Sequence, residues 1–141
     1  MSTRRLAALL ALLELCVAAY LEIERARGRS VACPLGGGGC ETVQHSRYSH
    51  LAGIPLPVLG LVGAVAMLVT TLLPGARART AALVIAFAGA LFSLYLAGLQ
   101  AFQIHAYCAW CLTSAVIWIA LAVTTAVGWL RADERVEVLP E

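Results

Sequence analysis

An all-α membrane protein, a bundle of four transmembrane helices, is the fold class this sequence predicts, and three observations predict it. Of 141 residues, 61% are hydrophobic and 13% charged, far from the balance of soluble domains, and mean hydropathy is +0.85. Four apolar runs, about Leu6–Ile23, Ile54–Leu73, Ala81–Ile104 and Ala109–Leu130, approach or exceed the roughly 20 residues that cross a hydrocarbon core. Between the first two runs lies the one long polar stretch, residues 24–53. Residues 1–141 therefore read as one integral membrane domain, a bundle with a cysteine-bearing outer loop.

The first run follows Arg4 and Arg5, as the apolar part of a signal peptide would. Glu14 and Leu15 stand before Cys16 where a cleaved lipoprotein has small residues, so the run reads as a retained helix. Cys16 inside it reads as a small buried hydrophobe. Glu14 is unusual, because an acid at membrane depth is costly and marks a candidate proton site.

All ten basic residues are arginines, which set the orientation. With a cytoplasmic N-terminus, Arg4, Arg5, Arg77, Arg79, Arg131 and Arg135 lie inside and Arg25, Arg27, Arg29 and Arg47 outside. Both termini are then cytoplasmic in a multi-pass protein of the cell inner (plasma) membrane. Cys33, Cys40, Cys108 and Cys111 share the outer face, where disulfides persist. The net charge is +2, and the partners expected are membrane lipid and protein, not nucleic acid.

A loop as long as residues 24–53 usually has a function. Six residues separate Cys33 from Cys40, and four are the glycines Gly36–Gly39, which accept positive φ and let the two Cα atoms approach disulfide distance. A permanent staple and an exchanging pair both fit that spacing. Cys108 and Cys111 stand at i and i+3 at the start of the fourth run, where a helix N-terminus favours a thiolate. Haem attachment needs a histidine at 112, which is Leu. Zinc ligation by two such pairs needs spacers of about two to four residues, shorter than the one between Cys33 and Cys40. Redox exchange, with no metal, is the favoured reading, and inert cysteines are the other one left open.

Two electrons leaving such pairs need an acceptor, and no haem, flavin or iron–sulfur motif is present. A lipid-soluble quinone fits an apolar bundle. Leu96, Gln100 and Ile104 share a helix face near the depth of Cys108 and Cys111, and Gln100 is either a quinone contact or an interhelical hydrogen bond. His45, His50 and His105 lie near the outer face as possible proton donors. Gly60 with Ala64, and Gly89 with Ser93 and Ala97, have the four-residue spacing of close helix packing.

The run Cys40-Glu-Thr-Val43-Gln-His-Ser46-Arg-Tyr48, then Gly53-Ile-Pro55 and Gly60, then Ser93-Leu-Tyr95-Leu96, then Cys108-Ala-Trp-Cys111, resembles the vitamin K epoxide reductase family, particularly its bacterial members without a fused thioredoxin-like domain. The resemblance spans nearly the whole chain. It implies a four-helix bundle around a quinone, ubiquinone or menaquinone, covered by a loop and a short helix near Arg47–Leu51, for which Ser46 is a support or a cap. Quinone contacts are expected at Ser46, Leu56, Leu59, Gly60, Leu96, Gln100, Ile104 and Ala115. The implied function is a thiol–disulfide relay that reoxidises a separate thioredoxin-like, DsbA-like partner: the partner reacts at Cys33, Cys40 attacks Cys108, and Cys111 passes electrons to the quinone. The DsbB type of enzyme differs in carrying its C-x-x-C in the first outer loop. Ala115 stands where vertebrate members have a tyrosine, and Leu56 where many have an asparagine; both departures count against vitamin K quinone or epoxide reduction, which is the alternative activity. A non-enzymatic membrane module with structural disulfides is the alternative of another class.

Overall fold

The computed structural model describes residues 1–138. Its long helices are α1 (Thr3–Ala26), α3 (Leu56–Leu72), α4 (Ala76–Leu99) and α5 (Ala109–Glu137), with a short α2 (Gly39–Gln44) in the loop after α1. Packing runs in a ring: α1 against α3 and α5, and α4 against α3 and α5. With its added π turn at Gln100–Ile104, α4 joins α1 and α5 as the three helices among the described residues that are long and apolar enough to cross a membrane. At 17 residues α3 is shorter, near the lower end of the roughly 17–25 that span a bilayer.

Each boundary has a local cause. The Ser2 hydroxyl accepts from the Arg5 N–H at 3.3 Å and caps α1. Pro57 stands in the first turn of α3, where its missing N–H costs nothing. Pro74 and Gly75 break α3 from α4, and α4 begins at Ala76, not Ala81, so its first turn carries Arg77 and Arg79. The fourth span runs past Leu130 to Glu137, because the arginines and acids there are good helix formers. The second run starts as a helix only at Leu56. Its first two residues, Ile54 and Pro55, form β2, which pairs with β1 (His50–Leu51) across Ala52 and Gly53. Both turn residues have positive φ, 52° and 81°, as a tight two-residue hairpin requires.

Trp118 of α5 fills the middle of the ring, and two glycines admit it. A Cβ at Gly63 of α3 would lie 3.1 Å from its ring, and one at Gly89 of α4 would lie 2.2 Å from it. Gly60 brings α3 against Ala18 of α1, where a Cβ on Gly60 would lie 3.3 Å from the Ala18 Cβ. Around this centre Ala11, Ala64, Met67, Ala86 and Leu121 have no exposed surface. Large apolar side chains such as Leu13, Val62, Val84, Leu91 and Val116 point outward. Such a distribution suits a lipid surround. Cys16 points outward with them and is exposed, contrary to the burial expected of it.

Candidate active site

The four cysteines gather at one end of the bundle through backbone devices specific to this sequence. Cys33 and Cys40 are joined in a disulfide with Cα atoms 5.6 Å apart. The bend between them needs glycine, since Gly36, Gly37 and Gly38 have φ of +70°, +78° and +70°. Gly39 then seats α2 on the segment before α5 so closely that a Cβ would fall 2.3 Å from the Tyr107 carbonyl oxygen. That approach buries Cys40 completely, while Cys33 stays partly exposed.

Cys108 and Cys111 are thiols. The path to them leaves α4 through the π turn and His105, whose φ of 54° reverses the chain. Gln100 is 3% exposed, and its Oε1 accepts from the Cys108 N–H at 2.8 Å. The expected interhelical hydrogen bond is present and fixes the start of α5, and Gln100 also lines the cavity beneath α2. Cys108 is fully buried as the N-cap of α5, and its Sγ accepts from the Cys111 N–H at 3.3 Å. Gln44 lies one turn beyond Cys40 on α2, and its amide reaches Cys111 Sγ at 3.5 Å and Cys108 Sγ at 4.0 Å. The Cys111 thiol first, then nearby backbone N–H groups and Gln44, stabilise the Cys108 thiolate against burial and bring its pKa to about 7.

Trp110, inside the C-x-x-C, anchors the loop to the bundle. Its Nε1 donates to the Ala32 carbonyl at 2.7 Å, next to Cys33, and its ring packs on Tyr20 of α1 with centroids 5.0 Å apart. Neither Gln44 nor Trp110 stood out in the sequence, because an amide and an indole acquire these roles only through partners far along the chain.

Beneath α2 lies a largely apolar cavity lined by residues of α1, α3, α4, α5 and the loop. Ser46, Leu56, Leu59, Gly60, Leu96, Gln100 and Ile104 all line it, together with Cys111. Ala115 is buried but does not line it; Ser114 and Trp118 face the cavity from α5 instead. Tyr48 and Ser49 contribute to its cover. The expected short helix is a 3-10 turn, Arg47–Ser49, with Ser46 at its N-cap position; the Ser46 hydroxyl donates back to the Val43 carbonyl at 2.8 Å instead of capping it, and the loop holds a second short helix, α2. His45, His50 and His105 are exposed and do not line the cavity. Glu14 does line it, 1% exposed, with Oε1 accepting from Ser114 Oγ at 2.6 Å and Trp118 Nε1 at 3.1 Å. Among the described residues no group of three or more His, Cys, Asp or Glu is placed to hold a metal ion.

The site's chemistry is legible in this geometry. A thiol pair is divided between two surroundings, the buried Cys108 under the cysteine-bearing helix and the partly exposed Cys111 on the wall of an apolar cavity. Over 44 residues the chain is 46% identical to the thiol-disulfide oxidoreductase LTO1 of Arabidopsis thaliana, a stretch that is 31% of this chain and 12% of that protein. It thus spans a small part of that relative's length. The sequence profile of the vitamin K epoxide reductase family matches residues 5–126. By a match across most of its length, on a helical bundle whose cysteine pairs meet at one end, the chain belongs to the vitamin K epoxide reductase family.

Proposed function

We propose that this protein is a membrane thiol–disulfide oxidoreductase that takes electrons from a thioredoxin-like, DsbA-like protein and passes them through its two cysteine pairs to a quinone. The observation that carries the reading is the division of the inner pair: Gln44 links both sulfurs to the helix of Cys40, while Cys111 alone of the two lines the cavity. An apolar cleft with a few polar groups suits a quinone ring. The buried Glu14 Oε2, which has no hydrogen-bond partner in the protein, also fits an occupant bearing oxygens.

The partner's thiolate attacks Cys33, the more accessible sulfur of the outer disulfide, and the partner leaves oxidised. The freed Cys40 thiolate attacks Cys108 of the inner disulfide, forming Cys40–Cys108 and releasing Cys111. Cys33 then closes on Cys40, which leaves the outer pair bonded and the inner pair as thiols, as observed. A quinone bound in the cavity supplies a sink for two electrons and two protons. Cys111 presents electrons at the cavity wall, and Cys108 closes on it to restore the inner disulfide. The cysteine end faces the cell exterior or periplasm, the side on which disulfides persist.

Trapping tests the relay. In Cys33→Ala or Cys111→Ala protein, a Cys40–Cys108 linkage accumulates and is detected by mass spectrometry of the joined peptides. Two disulfides that resist mild reductant and never exchange would instead identify structural staples and end the proposal.

A further inference from the structure

Glu14 is the one buried acidic side chain among the described residues, and the thiol relay makes no use of it. Its two oxygens differ. Oε1 holds two protein donors, Ser114 and Trp118, whereas Oε2 is buried and has none. A buried oxygen left unmet is costly, and a carboxyl meets that cost either by accepting from an occupant or by carrying a proton on that oxygen and donating it. Oxygens of a quinone are acceptors, so only the second arrangement pairs with them. Glu14 shares its cavity with Cys111, and Ser114, the donor to Oε1, stands one turn beyond Cys111 on α5.

We propose that Glu14 is the acid of this site: Ser114 and Trp118 fix Oε1, and Oε2 carries a proton that it gives to an oxygen of the bound quinone. This rests on the quinone reading above. Closing the Cys108–Cys111 disulfide releases two electrons and two protons from the dithiol. Both electrons pass to the quinone, and one proton reaches its oxygen from Glu14. The Cys111 proton returns to Oε2 of the Glu14 carboxylate, which shares the cavity with Cys111, and restores the acid. The second proton released by the dithiol balances the second proton taken up by the quinol.

The test uses the full chain in lipid nanodiscs, with a short-chain ubiquinone and a short-chain menaquinone as probes. Binding is read from quenching of tryptophan fluorescence, and reaction from single-turnover oxidation of the Cys108–Cys111 dithiol. In Glu14→Gln the amide keeps an acceptor for Ser114 and Trp118 and an N–H for the quinone but has no proton to transfer. The expected result is a Kd within about twofold of wild type with oxidation slowed by about ten- to a hundredfold, and partial recovery of rate in Glu14→Asp. A wild-type rate in Glu14→Gln overturns the proposal, and so does loss of binding together with rate, which makes Glu14 a packing element. Absence of both quenching and oxidation in the wild-type protein, with either quinone, rejects the quinone reading itself.

Discussion

Cys108 and Cys111 stand one helical turn apart and yet are different sulfurs. Cys108 is the cap of α5, and with the Cys111 thiol and backbone N–H groups around it its pKa falls from 9.0 to about 7. A lowered thiol pKa means that the thiolate predominates above that value and is lost as pH falls through it. Thiolate absorbance of the protein with its outer disulfide intact should therefore show a titration centred near pH 7 that Cys108→Ala removes. Gln44→Leu deletes an amide donor to both sulfurs, so it should move that titration upward and slow exchange between the two pairs about three- to tenfold in stopped-flow measurements. Neither effect is expected from Cys16→Ser, whose site faces outward from the bundle.

At the scale of elements, glycines decide how closely helices meet, and they do so at two places for two reasons. Gly89→Ala puts a Cβ 2.2 Å from the Trp118 ring, which must turn and so give up its hydrogen bond to Glu14. Overpacking of this kind costs about 1–3 kcal/mol, visible as a lower midpoint of thermal unfolding in detergent. Gly39→Ala meets backbone at 2.3 Å, so α2 must lift and carry Cys40 away from Cys108. The bundle should keep its thermal midpoint while the yield of trapped Cys40–Cys108 linkage falls about tenfold. Gly98→Ala, in α4 with nothing within 4 Å of its Cβ, should leave both measurements unchanged or raise stability by about 0.5–1 kcal/mol.

On the scale of the molecule, one cluster of arginines and the thiol chemistry sit at opposite ends. Arg4, Arg79, Arg131 and Arg135 line one cleft, and Arg4 donates to the carbonyls of Thr71 and Leu72 at the end of α3. The cysteines occupy the other end, where α5 begins. With the arginine end in the cytoplasm, a membrane-impermeant maleimide added to intact cells should label Cys33 after mild reduction but not a cysteine introduced at Arg77, and inverted vesicles should give the reverse pattern. Labelling of the Arg77 probe in intact cells would invert the topology.

Hydropathy and spacing by themselves determined the membrane class, the spans to within a turn or two and the pairing of cysteines by region, because these follow from local properties: apolar length, helical period and the φ freedom of glycine. Seven of the eight residues expected around the acceptor line the cavity. Ala115 does not, since helix phase turns Ser114 and Trp118 inward in its place. Tertiary structure alone decided the rest. Gln100 binds Cys108, Trp110 ties down Ala32, Gln44 reaches both sulfurs, and Glu14 finds partners 100 and 104 residues away. The pairing of Gln100 with Cys108 spans only eight residues and depends on the reversal at His105, while the others join distant segments, which no local pattern encodes and which meet only once the ring of helices has closed.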